Sequence, residues 1–377
     1  MSVRLGVLST YPTTQCGIAT FSASLVRHLR AAGADVGVVR LVDEPQGPTP
    51  PVVHEWVAGD DQGAPRAAAA LDEFDVALIQ HEYGIFGGPD GEDVLDLVAQ
   101  VRVPVVTVLH TVLTRPTPNQ HRVLAGLVER SAALVTMTTT ARDRLVAGWG
   151  VAPARVTVVP HGAEDNRASA PTTATTRTRP RTLLTWGLLS QGKGIEWALL
   201  ALAELRGRAP LPTYRVVGQT HPRVLEQEGE AYRDRLTALT RQLGLAESVQ
   251  FDGRYLSGPD LRAVVRCADV VLLPYDSDEQ VTSGVLTEAV AAGKPVISTR
   301  FPHAVELLSS GAGILVPQRD PSAMATALER VLTVDGVADA MADEARRLTA
   351  ALLWPAVAGR YLDVASAARL VAVAATI

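Results

Sequence analysis

A chain of 377 residues is too long for one ordinary α/β core and suits two, and its make-up of 47% hydrophobic and 20% charged residues excludes extensive disorder. A net charge of −5 without a concentrated basic stretch excludes a nucleic-acid partner, whose phosphates demand a basic surface. The two cysteines, Cys16 and Cys267, lie far apart with no CxxC or Cys/His ligand spacing, so neither a disulfide framework nor a structural zinc is expected.

The chain opens directly on Val3 to Ser9, which reads as a buried strand rather than a charged and apolar leader, and a cytoplasmic location is expected. Further strands are predicted near Asp35 to Val42, Val76 to His81, Val105 to His110, Ala133 to Met137 and Val156 to Pro160. Helical segments separate them, the βαβα pattern of a parallel sheet covered on both faces. Apolar runs such as Val103 to Leu109, interrupted by Pro104 and Thr107, fall short of the ~20 residues that span a bilayer, which leaves peripheral membrane contact open. Residues 168–181, rich in Thr and Pro and without hydrophobic periodicity, read as a linker. A second series then has strands near Thr182 to Gly187, Tyr214 to Gly218, Val249 to Asp252, Val270 to Pro274, Pro295 to Thr299 and Gly313 to Val316. Helices follow around Asp320 to Leu332, Val337 to Leu352 and Trp354 to Val371. The expected division is an N-terminal Rossmann-like domain over 1–167, the linker, a second Rossmann-like domain over 182–353, and a C-terminal helix over 354–377 placed to cross back onto the first domain.

In an open α/β sheet ligands sit beyond the carboxyl ends of the strands, so the residues just after each strand carry the chemistry. After the first strand, Gly17 opens a helix whose free amides suit a phosphate or sugar oxygen, although one glycine is also an ordinary turn. The segment Trp186 to Glu196 runs strand, glycine-flanked Lys193, helix. Its Gly187-to-Lys193 spacing matches a P-loop, but Gly194 stands where magnesium would need Ser or Thr, so nucleoside triphosphate hydrolysis is not expected. Lysine occurs at Lys193 and Lys294 alone, all other cations being arginine, which singles out Lys193 as a diphosphate ligand. Lys294, after the helix-stopping Gly293, reads as a helix C-terminal charge. The richest stretch, Leu273 to Val296, reads strand, polar loop, helix, glycine stop, strand. Thr282, Ser283 and Gly284 begin that helix and offer hydroxyls and amides to an anion; Glu288, one turn on, suits a vicinal diol such as ribose.

The Cys16-Gly17 loop, Val159-Pro160-His161-Gly162, the Gly187 to Gly194 segment and Gly284 to Val296 together resemble the retaining nucleotide-sugar glycosyltransferases of the GT-B fold, family-4 branch. The resemblance spans nearly the whole chain and implies two Rossmann-like parallel-sheet domains facing a central cleft. It implies a metal-independent hexosyltransferase without cofactor, acting on a nucleotide-diphosphate sugar and an unidentified hydroxyl acceptor. In that family two glutamates eight positions apart mark the donor site. Glu288 matches the second, whereas the first falls on Gln280, with Glu279 beside it. The family's diphosphate arginine is Leu188 here, its lysine is Lys193, and Arg254 is a candidate substitute for the missing cation. Its cleft histidine corresponds to His110, expected beside the reacting sugar. Gln80 to Gly88, with His81, Glu82 and Tyr83, is expected to shape the acceptor pocket. A nucleotide-sugar sensor without transfer activity, or a GT-B epimerase or phosphorylase, stays open as an alternative. The base, the hexose and the acceptor are not legible in the sequence.

Overall fold

The computed structural model describes residues 3–167 and 180–376. Residues 168–179 of the expected linker lie outside the described residues. The chain divides into two compact units, one running to Gly162 and resuming at Trp354, the other spanning Ala163–Leu353. Residues 163–167 therefore sit with the second unit. There the Ala163 N–H donates to Leu352 O at 2.8 Å, and Asn166 donates to Arg262 O and accepts from Arg266.

The first unit holds β1 (Arg4–Thr10), β2 (Asp35–Val42), β3 (Val52–Val57), β4 (Val76–His81), β5 (Val105–Leu109), β6 (Ala133–Thr136) and β7 (Val156–Val158). They form one parallel sheet in the order β3-β2-β1-β4-β5-β6-β7. Central strands such as β4 and β5 are buried along their whole length, which is why they read as unbroken apolar runs. The sequence reading missed β3. Pro50 and Pro51 precede it and His54 and Glu55 interrupt its apolar pattern, so it resembled a loop. Tertiary pairing makes it a strand. Arg40 of β2, 4% exposed, forms an ion pair with Glu55, whose other oxygen accepts the amides of Gln46 and Gly47. Burial alone would raise the Glu55 carboxyl, but Arg40 and those amides hold it below its usual range.

Trp354–Thr376 forms one helix that packs on the Gly17–Ala31 helix and on β4 and β5. Trp354, Val357, Ala358, Tyr361 and Val364 join the core of the first sheet, each large apolar side chain contributing about 2 kcal/mol of burial. Gly162 permits this approach, because a Cβ there would stand 2.2 Å from the Trp354 ring.

The second unit holds β8 (Thr182–Trp186), β9 (Thr213–Val217), β10 (Val249–Asp252), β11 (Val270–Leu273), β12 (Val296–Thr299) and β13 (Gly313–Val316), all parallel, in the order β10-β9-β8-β11-β12-β13. Both sheets reverse direction of winding once, between β1 and β4 and between β8 and β11. In such sheets that switch point is where ligands bind. Several strands end a residue or two before the sequence pattern does, so His110, Gly187, Gly218 and Pro274 fall in the loops beyond them. Lys294 is structural. Its ammonium donates at 2.8 Å to the carbonyls of Arg266 and Ala268, closing the C-terminus of the Gly258–Cys267 helix rather than of its own.

Candidate functional site

At the switch point of the second sheet the loops after β8 and β11 are joined backbone to backbone. Asp276 N donates to Gly192 O at 2.8 Å, and a Cβ on Gly194, whose φ is +65°, would stand 1.9 Å from Pro274 O. Only glycine fits there. This contact puts Lys193 Nζ 4.2 Å from the centre of the Tyr275 ring, which is itself 0% exposed and stacked on Phe301 at 5.2 Å. Such a cation–π contact is worth about 1 kcal/mol and gives a flexible side chain a fixed direction. A second close approach flanks it, since a Cβ on Gly218 would lie 2.0 Å from Gly187 O.

The helix Gly284–Ala291 starts beside this loop with Ser283 as its cap, the hydroxyl accepting from Leu286 N. From the sequence the Ser283 amide is expected to be open to an anion. It is not: Ser283 N–H donates to His303 Nδ1 at 2.8 Å, and His303 N–H bonds Gln280 O at 3.3 Å. His303, 5% exposed, thus clasps the Gln280-to-Ser283 loop at both ends. No motif pointed to it, because it comes from the helix after β12, twenty residues along the chain. The amides left for an anion are those of Gly284 and Val285, which have no intrahelical acceptor. Thr282 Oγ1 is buried without a partner, and leaving such a hydroxyl unmatched costs about 1–3 kcal/mol, so it is a donor in waiting. Gln280 Nε2 donates to Thr282 O, fixing its amide, while Glu279 N donates to Ser277 Oγ.

Glu288 faces the end of β8, where Trp186 Nε1–H donates to its Oε2 at 3.3 Å. Burial pushes the Glu288 carboxyl up to about 7; the indole N–H lowers it, Glu164 raises it and Arg262 lowers it. Near neutral pH a small change in surroundings decides whether it is charged.

Arg254 is not brought to this place. Its strand, β10, lies two strands from β8, its side chain is 76% exposed, and both nitrogens of its fork bond Asp252. That pairing, against the opposing effect of partial burial, takes the Asp252 carboxyl down to about 2. The cation nearer the β8 edge is Arg233, which no motif in the sequence marks. Its guanidinium donates to Gly218 O at 2.7 Å and leaves Nη1 buried without a partner.

The first unit places different chemistry at its own switch point. Cys16 caps the Gly17–Ala31 helix, its sulfur accepting Ala19 N and lying 3.3 Å from the Thr10 hydroxyl. A Cβ on Gly17 would meet nothing within 4 Å, so protein packing does not demand that glycine. His110 Nε2 lies 2.8 Å from Gln80 Oε1, an acceptor, so Nε2 carries the proton and Nδ1 presents a lone pair. Burial, with His161 and His81 nearby, takes His110 down to about 3. His161 is likewise taken down to about 4 by burial, against the bond to Gly162 O, and Phe21 meets both rings edge-on at 4.9 Å. These are neutral imidazoles.

The expected acceptor contacts change in character. His81 is 0% exposed, neither ring nitrogen has a partner, and it sits between Tyr83 and Phe86, so its side chain has no surface to offer. Both faces of β4 are covered, so its last side chain is enclosed like the rest. Tyr83, 9% exposed, directs its hydroxyl to Gln120 O at 3.4 Å. Glu82 accepts from Tyr83 N and the Thr111 hydroxyl, and of the three it is the half-buried one. A Cβ on Gly87 would stand 2.3 Å from the Asp93 carboxylate, so a larger residue there would have to displace that side chain. Among the described residues no group of three or more His, Cys, Asp or Glu is arranged to hold a metal ion, and no helix is long and apolar enough to cross a membrane.

Two family models cover the chain in succession: Glycosyltransferase Family 4 over residues 16–167 and Glycosyl transferases group 1 over residues 180–334. A glycogen synthase of Mycobacterium tuberculosis is 31% identical over 66% of this chain and 57% of that protein. The chain thus spans little more than half the length of that relative. A D-inositol 3-phosphate glycosyltransferase of Corynebacterium diphtheriae is 29% identical over 99% of this chain and 97% of its own length. Among solved structures, Anabaena Alr3699/HepE in complex with UDP superposes with a TM-score of 0.77 at 16% identity, over 97% of this chain and 100% of that one.

Proposed function

This chain belongs to the glycosyltransferases of GT-B type, and from that premise we propose that it moves a hexose from a nucleotide-diphosphate sugar to a hydroxyl acceptor, with retention and without a metal ion. The observation that carries this reading is the second unit's switch point. A fixed ammonium, two unpaired helix amides and an unpartnered hydroxyl are set within one pair of joined loops.

Each group has a task in the reaction. As the bond from the anomeric carbon to the phosphate oxygen breaks, charge accumulates on the diphosphate. Lys193 Nζ, the amides of Gly284 and Val285 and the Thr282 hydroxyl stabilise it, supplying the positive field that magnesium gives other enzymes. Glu288 holds the ribose diol through its carboxylate, while Gln280 and Glu279 face the hexose. The acceptor oxygen forms the new bond on the same face, and its proton passes to the departing phosphate oxygen, which balances the step. In the first unit His110 accepts a substrate hydroxyl at Nδ1 rather than exchanging a proton, because its ring stays neutral.

Thermal shift with UDP, GDP, ADP and their glucose conjugates, in chelator, tests the donor class directly, since a ligand bound by the native state alone raises the melting temperature. Stabilisation by one base series supports the reading. No stabilisation by any of the six removes it, and binding that never leads to acceptor-dependent nucleotide release points to a sensor.

A further inference from the structure

We propose that Trp186 is a positioning residue for the nucleotide: its indole N–H holds one oxygen of Glu288 so that the other is aimed at the ribose hydroxyls. The inference rests on the donor reading above and adds a residue to it. Trp186 closes β8, is 3% exposed, and belongs to the buried core that also contains Val217, Leu273, Leu286 and Val290, which leaves its ring little room. Its Nε1–H is a donor only and is spent on Glu288 Oε2 at 3.3 Å. A carboxylate has two oxygens. With Oε2 engaged from the sheet side, Oε1 is the atom left for ligand.

The wider surroundings of Glu288 explain why a donor is needed. Glu164, from the segment entering the second unit, opposes its charge, and Arg262, from the Gly258–Cys267 helix, favours it. Without the indole N–H a half-buried glutamate beside another carboxylate holds its proton to higher pH, and a protonated carboxyl no longer offers two acceptor oxygens to a diol. The Trp186 contact tips Glu288 towards the ionised form and fixes its rotamer in one interaction.

The test uses the full-length protein and the tightest of UDP-, GDP- and ADP-glucose. Their diphosphates are diesters without a titration near pH 7, so the pH profile of binding reports the protein. Trp186→Phe keeps the packing and deletes the donor. Loss of one hydrogen bond to a charged group predicts about tenfold weaker binding. The midpoint of the pH profile should rise from near 7 to about 8. With the 2′,3′-dideoxyribose analogue the wild type and Trp186→Phe should bind alike, and in a Glu288→Gln background Trp186→Phe should add nothing. Equal losses for the ribose and dideoxyribose ligands, or an unmoved midpoint, would mean that Trp186 serves packing only. Should the wild type bind none of the three sugar nucleotides, the donor reading falls and this inference with it.

Discussion

The two sheets wind in the same way and each offers loops at one switch point, yet those loops carry opposite chemistry. Beyond β8 and β11 stand an ammonium, open amides and a carboxyl poised near neutrality. At the carboxyl end of the first sheet, closing β4 and just after β5, stand neutral imidazoles, with the rings of Phe21 and Phe86 against them. Topology fixes where a ligand can sit, and the residues placed there decide what it can be. On the proposed function, the first set of groups meets a diphosphate and the second meets hydroxyls.

The sharpest way to break this contrast is Lys193→Ala. Turnover should fall about 100-fold, with the melting temperature little changed because the lysine lies over the Tyr275 ring rather than within the core. Wild-type turnover would remove the charged edge from the mechanism. Gly194→Ala attacks the backbone junction beneath it. A positive φ and a clash with Pro274 O predict a loss of about 3 kcal/mol, read as a lower urea midpoint.

Acid should separate the two edges by sign. His81, neutral when buried and taken down to about 3, contributes stability that is complete above the unfolded value near 6.5 and is lost as pH falls towards 3. The loss is about 1 kcal/mol per pH unit over that window. His110 and His161 act in the same direction. Glu288, raised to about 7, contributes stability that is complete below about 4.5 and lost as pH rises towards 7. Between pH 6.5 and 4.5, hydrogen exchange corrected for intrinsic rates should therefore show β4 and β5 losing protection while the Gly284–Ala291 helix does not follow. Parallel loss in both would erase the distinction. The smallest effect belongs to Arg254→Ala, which should leave donor affinity and turnover unchanged because that guanidinium is committed to Asp252; a tenfold loss of affinity would return it to the site.

Much of the fold was legible because parallel strands buried on both faces leave unbroken apolar runs, and helix-opening residues such as Gly17 and Ser283 mark the loops between them. The strand β3 was not, since its Glu55 belongs in the interior only when Arg40 is opposite. Lys193, in one segment, and Thr282, Gly284 and Glu288, in another, could be picked out from the local pattern around each. His303 and Arg233 could not, because their partners are set by packing between elements distant along the chain.

By itself the sequence determined two parallel α/β sheets, the place of the loops beyond their strands, and the residue types at those loops. These follow from periodicity, glycine and capping, all local properties. Only the tertiary structure decided which amide His303 consumes, that Asp252 holds Arg254, that His81 points inward, and that the Trp186 indole reaches Glu288. Those outcomes depend on burial and on which strands stand side by side, and a chain acquires both only when it folds.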